Sequence, residues 1–150
     1  MADVVKATTT TVKLKIKDFK KERYASEVNY SFYQSTDKEG QPTGIPRGGR
    51  ITLLLKAGND GNNELFNWMV DKSLAYDGCI EFMDSSDTDK KMKEIKFKQA
   101  YCIEFTENWK DSSKNGADKV ELSDLAHTEK ITLSCKEISI EAATFKNEWA

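Results

Sequence analysis

One histidine, three cysteines and two prolines are all that 150 residues contain of those types. His127 stands alone and no Gly-x-Ser-x-Gly turn occurs, so a Ser-His-Asp or Cys-His arrangement has no footing. Catalysis would have to rest on carboxylates. The 25 acidic residues fall almost entirely in turns or on the polar parity of strands, where solvation accounts for them. Cys79, Cys102 and Cys135 are odd in number, lie in strand-like segments and lack Cys-x-x-Cys spacing. They read as buried free thiols, and with a single histidine they make no metal ligand set. Neither an enzyme, a cofactor nor a metal site is expected.

Charge of one sign is also missing. With 23 basic against 25 acidic residues, the formal net charge of -2 provides no field to draw in nucleic acid or anionic lipid. No apolar run is long enough to span a bilayer, so membrane insertion is not expected. Met1 to Lys6 lack the basic region and apolar run of a Sec signal, so classical export is not indicated and the cytoplasm is the expected place of synthesis. At 38% hydrophobic and 32% charged, the chain reads as one polar globular domain over residues 1–150.

What is present is alternation. Ile51, Leu53 and Leu55 alternate with Thr52, Leu54 and Lys56, the period of a strand with one buried face. The turn Gly58-Asn59-Asp60-Gly61-Asn62 stops it. A helix follows, with Asn63 as N-cap and a wide apolar stripe of Leu65, Phe66, Trp68, Met69 and Val70. It is the single convincing helix. Val12, Leu14 and Ile16 alternate with lysines as a first strand, and Val28, Tyr30 and Phe32 form an inward parity that pairs antiparallel with it.

Asp77-Gly78 reads as a turn before a short strand in which Ile80 and Phe82 alternate with Glu81. Ile95, Phe97, Tyr101, Ile103 and Phe105 share one parity, with Gln99 its polar member, over a single long strand or two collinear ones. Ile131, Leu133 and Cys135 are odd while Ile138 and Ile140 are even, so a bulge or bend is expected near Lys136-Glu137. Val120, Leu122 and Leu125 punctuate an otherwise polar stretch, and the tail ends in Phe145 and Trp149. Six or more amphipathic strands with one interposed helix predict a mainly β fold, an antiparallel barrel with a flanking α-helix.

Ser35 to Gly49 loses all periodicity and collects Gly40, Pro42, Gly44, Pro46, Gly48 and Gly49. A loop of that length in a compact domain is a candidate for function. It is not a phosphate loop, because a strand and not a helix follows Gly49. Asp84 to Asp89 resembles a calcium loop but lacks a Gly at the sixth position and a Glu at the twelfth.

The run Tyr30-Ser31-Phe32-Tyr33-Gln34-Ser35-Thr36-Asp37, with Gly40, Pro42 and Arg47-Gly48-Gly49-Arg50-Ile51, resembles the type VI secretion tube protein family, TssD or Hcp, in its Bacteroidetes branch. Glu64-Leu65-Phe66-Asn67-Trp68-Met69, Asp77-Gly78, Met92 to Phe97, Ile131 to Ser134, Lys136 to Ile140 and Asn147-Glu148-Trp149 continue the resemblance. The segment from Trp109 to Glu129 is longer than the family pattern, and residues up to Thr11 match it poorly.

The resemblance implies an Hcp-like β-barrel whose homohexameric rings stack into a hollow tube. A contractile sheath would propel that tube, tipped by a spike protein, and its lumen would carry effector proteins. Secretion would run through the apparatus itself. The long extended loop (Asp37, Gly40, Pro42, Thr43, Gly44, Ile45, Pro46, Arg47, Gly48 and Gly49) would then reach an adjacent subunit or ring, and Leu65, Phe66, Trp68 and Met69 would form the flanking helix. Two alternatives share the architecture: a phage-type tail tube protein, and a monomeric barrel that binds a small ligand in an open apolar interior.

Overall fold

The structure, a computed structural model, describes residues 10–56, 62–84, 87–110 and 127–149, with no side chains at 87–89. The expected Gly58 to Gly61 turn and the Val120, Leu122 and Leu125 segment lie outside the described residues.

Among the described residues, seven strands and one helix follow in the order β1 (Thr10–Ile16), β2 (Arg23–Tyr30), β3 (Arg50–Lys56), α1 (Glu64–Val70), β4 (Tyr76–Asp84), β5 (Asp87–Trp109), β6 (His127–Ile140) and β7 (Ala143–Lys146). Every pairing is antiparallel, and the order β3-β2-β1-β4-β5-β6 is closed by β6 pairing back onto β3. Closure gives a six-stranded barrel. Strand β7 lies outside that ring and continues along the β6 edge beyond the end of β3.

Barrel closure follows from the alternation. Leu14, Ile51, Leu53, Leu55, Ile80, Ile95, Phe97, Ile131, Leu133 and Ile138 are all buried and form one cluster that fills the inside. Burying each such side chain contributes about 1.5–3 kcal/mol, so together they dominate the stability of the fold. Leu65 and Trp68 bring α1 into the same cluster.

Inward faces depart from simple alternation within β2 and β5. In β2 the register shifts between Ala25 and Glu27, so Ala25 is buried ahead of half-buried Val28 and Tyr30. The expected third member, Phe32, lies past the strand and is exposed. In β5 the inward residues after Phe97 are Ala100 and Cys102, not Tyr101 and Ile103. The cause is Gln99, whose φ of 49 turns the strand over, with its N–H donated to Asp77 Oδ1 at 2.9 Å. A second shift between Cys102 and Glu104 restores the original parity at half-buried Phe105.

The expected change of face in β6 occurs between Cys135 and Ile138, but it is not a bulge. Register runs unbroken through Lys98↔Glu137 and Ala100↔Cys135. Both strands turn over at the same rung, which bends the sheet without an extra residue. Asp77 and Gly78 likewise lie within β4 and not in a turn. Gly78 is required there, because a Cβ would sit 2.5 Å from the Lys15 carbonyl oxygen and 2.6 Å from the Phe97 ring.

Helix α1 is shorter and narrower in its apolar face than its sequence implies. Leu65 and Trp68 are buried and Met69 half-buried, whereas Phe66 and Val70 are exposed. Asn63 makes no capping bond; Asn62 Oδ1 accepts the Glu64 N–H at 2.7 Å instead. Seven residues cannot hold a helix by propensity alone, so Trp68 anchors it. The indole Nε1 donates to the carbonyls of Ala100 at 3.1 Å and Leu74 at 3.2 Å, and its ring meets Phe19 and Tyr76 edge-on.

Candidate functional site

Between Tyr30 and Ile51, which pair directly with each other, the chain leaves the barrel as an arm. The long aperiodic stretch is an ordered ribbon. Tyr33 and Arg47 exchange backbone hydrogen bonds at 2.8 and 2.7 Å, the Thr43 N–H reaches the Ser35 carbonyl at 2.9 Å, and Thr36 bridges Pro42. Pro42 and Pro46 have no N–H to donate, so the pairing stays too sparse to build continuous strands.

Asp37 organises the tip. Its Oδ1 accepts the N–H groups of Glu39 and Gln41 at 2.9 and 3.0 Å, and Gly40 supplies the positive φ, +86, that the turn needs. Arm residues 31–47 are all exposed, with Tyr33 at 62% and Ile45 at 50%. At the root, Gly48 and Gly49 pass too close to Ser31, Phe32 and Cys135 to carry side chains. Thus Asp37, Gly40, Pro42, Thr43, Gly44, Ile45, Pro46, Arg47, Gly48 and Gly49 do form one connected element.

A shallow apolar groove adjoins the root, lined by Phe32, Pro46, Ile138, Ile140, Ala143 and Phe145. On the flanking helix, exposed Phe66 tilts over Phe105 at 6.0 Å between ring centres.

Two carboxylates contradict the expectation that acidic residues sit in solvent. Glu81 is buried and takes ion pairs from Lys15 at 2.5 Å and Lys91 at 3.1 Å. The hydrogen bond from Lys15 chiefly holds its carboxyl below the usual carboxylate range. Glu129 is buried against the Arg23 guanidinium. Beside it the buried His127 places Nε2 2.8 Å from Glu107 Oε2 and stacks on Trp109 at 3.5 Å.

Sequence spacing hid this group, because Glu107 and Trp109 on β5 meet Glu129 and His127 only through the cross-strand register. Glu107, His127 and Glu129 bring their ligand atoms within 4.8 Å, as do Cys79, Glu81 and Glu94. In each group protein cations already neutralise a carboxylate: Arg23 in the first, Lys15 and Lys91 in the second.

The family model of hemolysin coregulated protein Hcp (TssD) matches residues 8–150. Hcp1 from Flavobacterium johnsoniae is similar at 29% identity and a TM-score of 0.73, covering 91% of this chain and 99% of its own. Hcp1 from an enteroaggregative E. coli strain has the same fold at 11% identity, a TM-score of 0.66 and coverage of 93% and 99%. A chain of the anti-feeding prophage baseplate is similar at 10% identity and a TM-score of 0.53, covering 93% and 97%. No curated protein sequence matches significantly. The family match takes in the arm, the barrel, the helix and the tail together, and this chain belongs to the hemolysin coregulated protein family, Hcp or TssD.

Proposed function

We propose that the chain is the subunit of a type VI secretion tube, and that its arm docks on a neighbouring copy of itself within a ring or between stacked rings. One observation carries the arm's role. The barrel's backbone groups are used up by closure of β3 on β6, whereas the arm presents an exposed ribbon with open edges and large apolar side chains. An unpartnered ribbon of that kind gains most by pairing with another chain.

On this reading six copies form a ring, rings stack around a lumen that carries effectors, and a contractile sheath with its spike drives the assembly out. The buried interior speaks against the small-ligand barrel, since Leu14, Ile51, Leu53, Phe97, Ile131 and Leu133 occupy the space a ligand would need. A phage-type tail tube differs in its propelling machine, and sequencing the neighbouring genes for a sheath, baseplate and spike of one kind or the other would distinguish the two.

Negative-stain electron microscopy and sedimentation of the purified protein test the proposal. Rings are expected, and a chain that stays monomeric at high concentration would overturn it. Deleting Thr43 to Pro46 should keep the barrel's thermal transition while weakening assembly; rings that stack as before would remove the arm from the interface.

A further inference from the structure

The β6 edge that turns away from β5 carries two partners in succession: β3 from Thr128 to Ser134 and β7 from Glu137 to Ile140. The arm leaves the barrel in the gap between them. There the Cys135 N–H donates to the Gly49 carbonyl at 2.7 Å, and the Asn147 N–H donates to the Lys136 carbonyl at 2.7 Å. The tail therefore arrives on β6 one rung from where the arm departs.

Asn147 closes the gap with its side chain. Its Nδ2 donates to the Cys135 carbonyl at 2.8 Å and to the Gly48 carbonyl at 3.3 Å, so one amide ties the barrel strand to the arm's root. Both N–H bonds of a single NH₂ are in use, and an aspartate would set a negative charge against the same two oxygens. Gly49 stands at a φ of +97, where glycine is freest, and would act as a pivot unless something outside it fixed its neighbours.

The first limb of the arm is held by the same tail. Phe32 packs edge-on against Phe145 at 4.9 Å, and its ring occupies the space that a side chain at Gly48 would take. Beyond Asn147, Trp149 tilts onto Tyr101 of β5 at 5.7 Å and pins the tail down. Three tail residues, Phe145, Asn147 and Trp149, thus address the first limb, the second limb and the barrel wall.

We propose that the C-terminal tail is a bracket for the arm, with Asn147 as the positioning residue that fixes the direction in which the arm projects. The proposal rests on the reading of the arm as an assembly element. Ordering the ribbon before contact would spare the entropy of ordering it during contact, which strengthens docking without adding any interfacial group.

Full-length Asn147→Ala and Asn147→Asp test it, with Asn147→Gln as the conservative variant. Hydrogen exchange is measured at a concentration too dilute for assembly. The arm amides of Tyr33, Asp37, Thr43 and Arg47 should exchange about tenfold or more faster, while those of Leu53, Ile95 and Leu133 keep their rates, and Gln should restore part of the protection. Sedimentation should show the concentration for ring association rising in step. Unchanged arm exchange, or acceleration spread equally over the barrel, overturns the bracket. Loosened arm amides with unchanged rings support the bracket and sink the arm's part in assembly instead.

Discussion

The Glu81 carboxylate on β4 sits 2.5 Å from the Lys15 ammonium on β1 and 3.1 Å from Lys91 on β5, tying three adjacent strands at one level of the barrel. Glu81→Gln keeps the size and removes the charge, so it should lower stability at pH 7 by about 1–3 kcal/mol. The carboxyl is held below its ordinary value of 4.5, which fixes the sign of the pH dependence. Its contribution is complete above that value and fades as pH falls through the depressed one. Urea titrations of both proteins should therefore show a constant gap above pH 6 that narrows in acid. A gap that persists unchanged to pH 2 would mean the pair contributes nothing through charge.

Trp68→Phe isolates the indole's role. It keeps an aromatic ring and deletes the donor to Ala100 and Leu74, leaving a buried carbonyl unmatched at a cost of about 1–3 kcal/mol. Trp68→Ala adds a cavity and should cost about 3–5 kcal/mol. Exchange of the α1 amides should rise more than that of β1 or β6; equal protection in both elements would show that the helix holds without its anchor.

Two arm glycines with positive φ should respond differently to the same substitution. At Gly40 a Cβ meets nothing within 4 Å, so Gly40→Ala carries only backbone strain, about 1 kcal/mol. At Gly49 a Cβ would also lie 2.9 Å from the Cys135 carbonyl oxygen and collide with the Asn147 amide. Gly49→Ala should therefore lower the barrel's melting temperature measurably more than Gly40→Ala. Equal shifts would show that the root relaxes freely.

The three thiols should react in order of their surroundings. Burial pushes Cys102 up to about 11 and Cys135 up to about 12, which leaves almost no thiolate at neutral pH. Cys79 is only half-buried. Titration of the native protein with a disulfide reagent at pH 8 should label Cys79 first and the other two only on unfolding. Rapid labelling of Cys135 would mean that the β5–β6 bend opens.

The sequence made the closed barrel legible because most strands alternate cleanly, as in Ile51, Leu53 and Leu55, all fully buried. It misled where one residue reversed a strand. Nothing in Gln99 announces a φ of 49; the conformation is set by Asp77, which is 22 positions away and reaches it only once β4 and β5 have paired. Phe66 and Val70 read as core by helical spacing, but a helix held mainly by Leu65 and Trp68 turns only a narrow stripe inward. The arm was visible as a place through its glycines and prolines. Its ribbon pairing was not, since Tyr33 and Arg47 lie 14 residues apart with no periodicity between them. The polar meeting of Arg23, Glu107, His127 and Glu129 is likewise a product of register.

The direct pairing of Tyr30 with Ile51 makes the whole arm an excursion from the tip of an ordinary β2–β3 hairpin. Its length and chemistry can therefore drift between related chains without rewiring the scaffold beneath. On the proposed docking role of the arm, a transplant of residues 31–49 from one relative into another, carried along with its matching tail, would be expected to exchange which copies recognise each other.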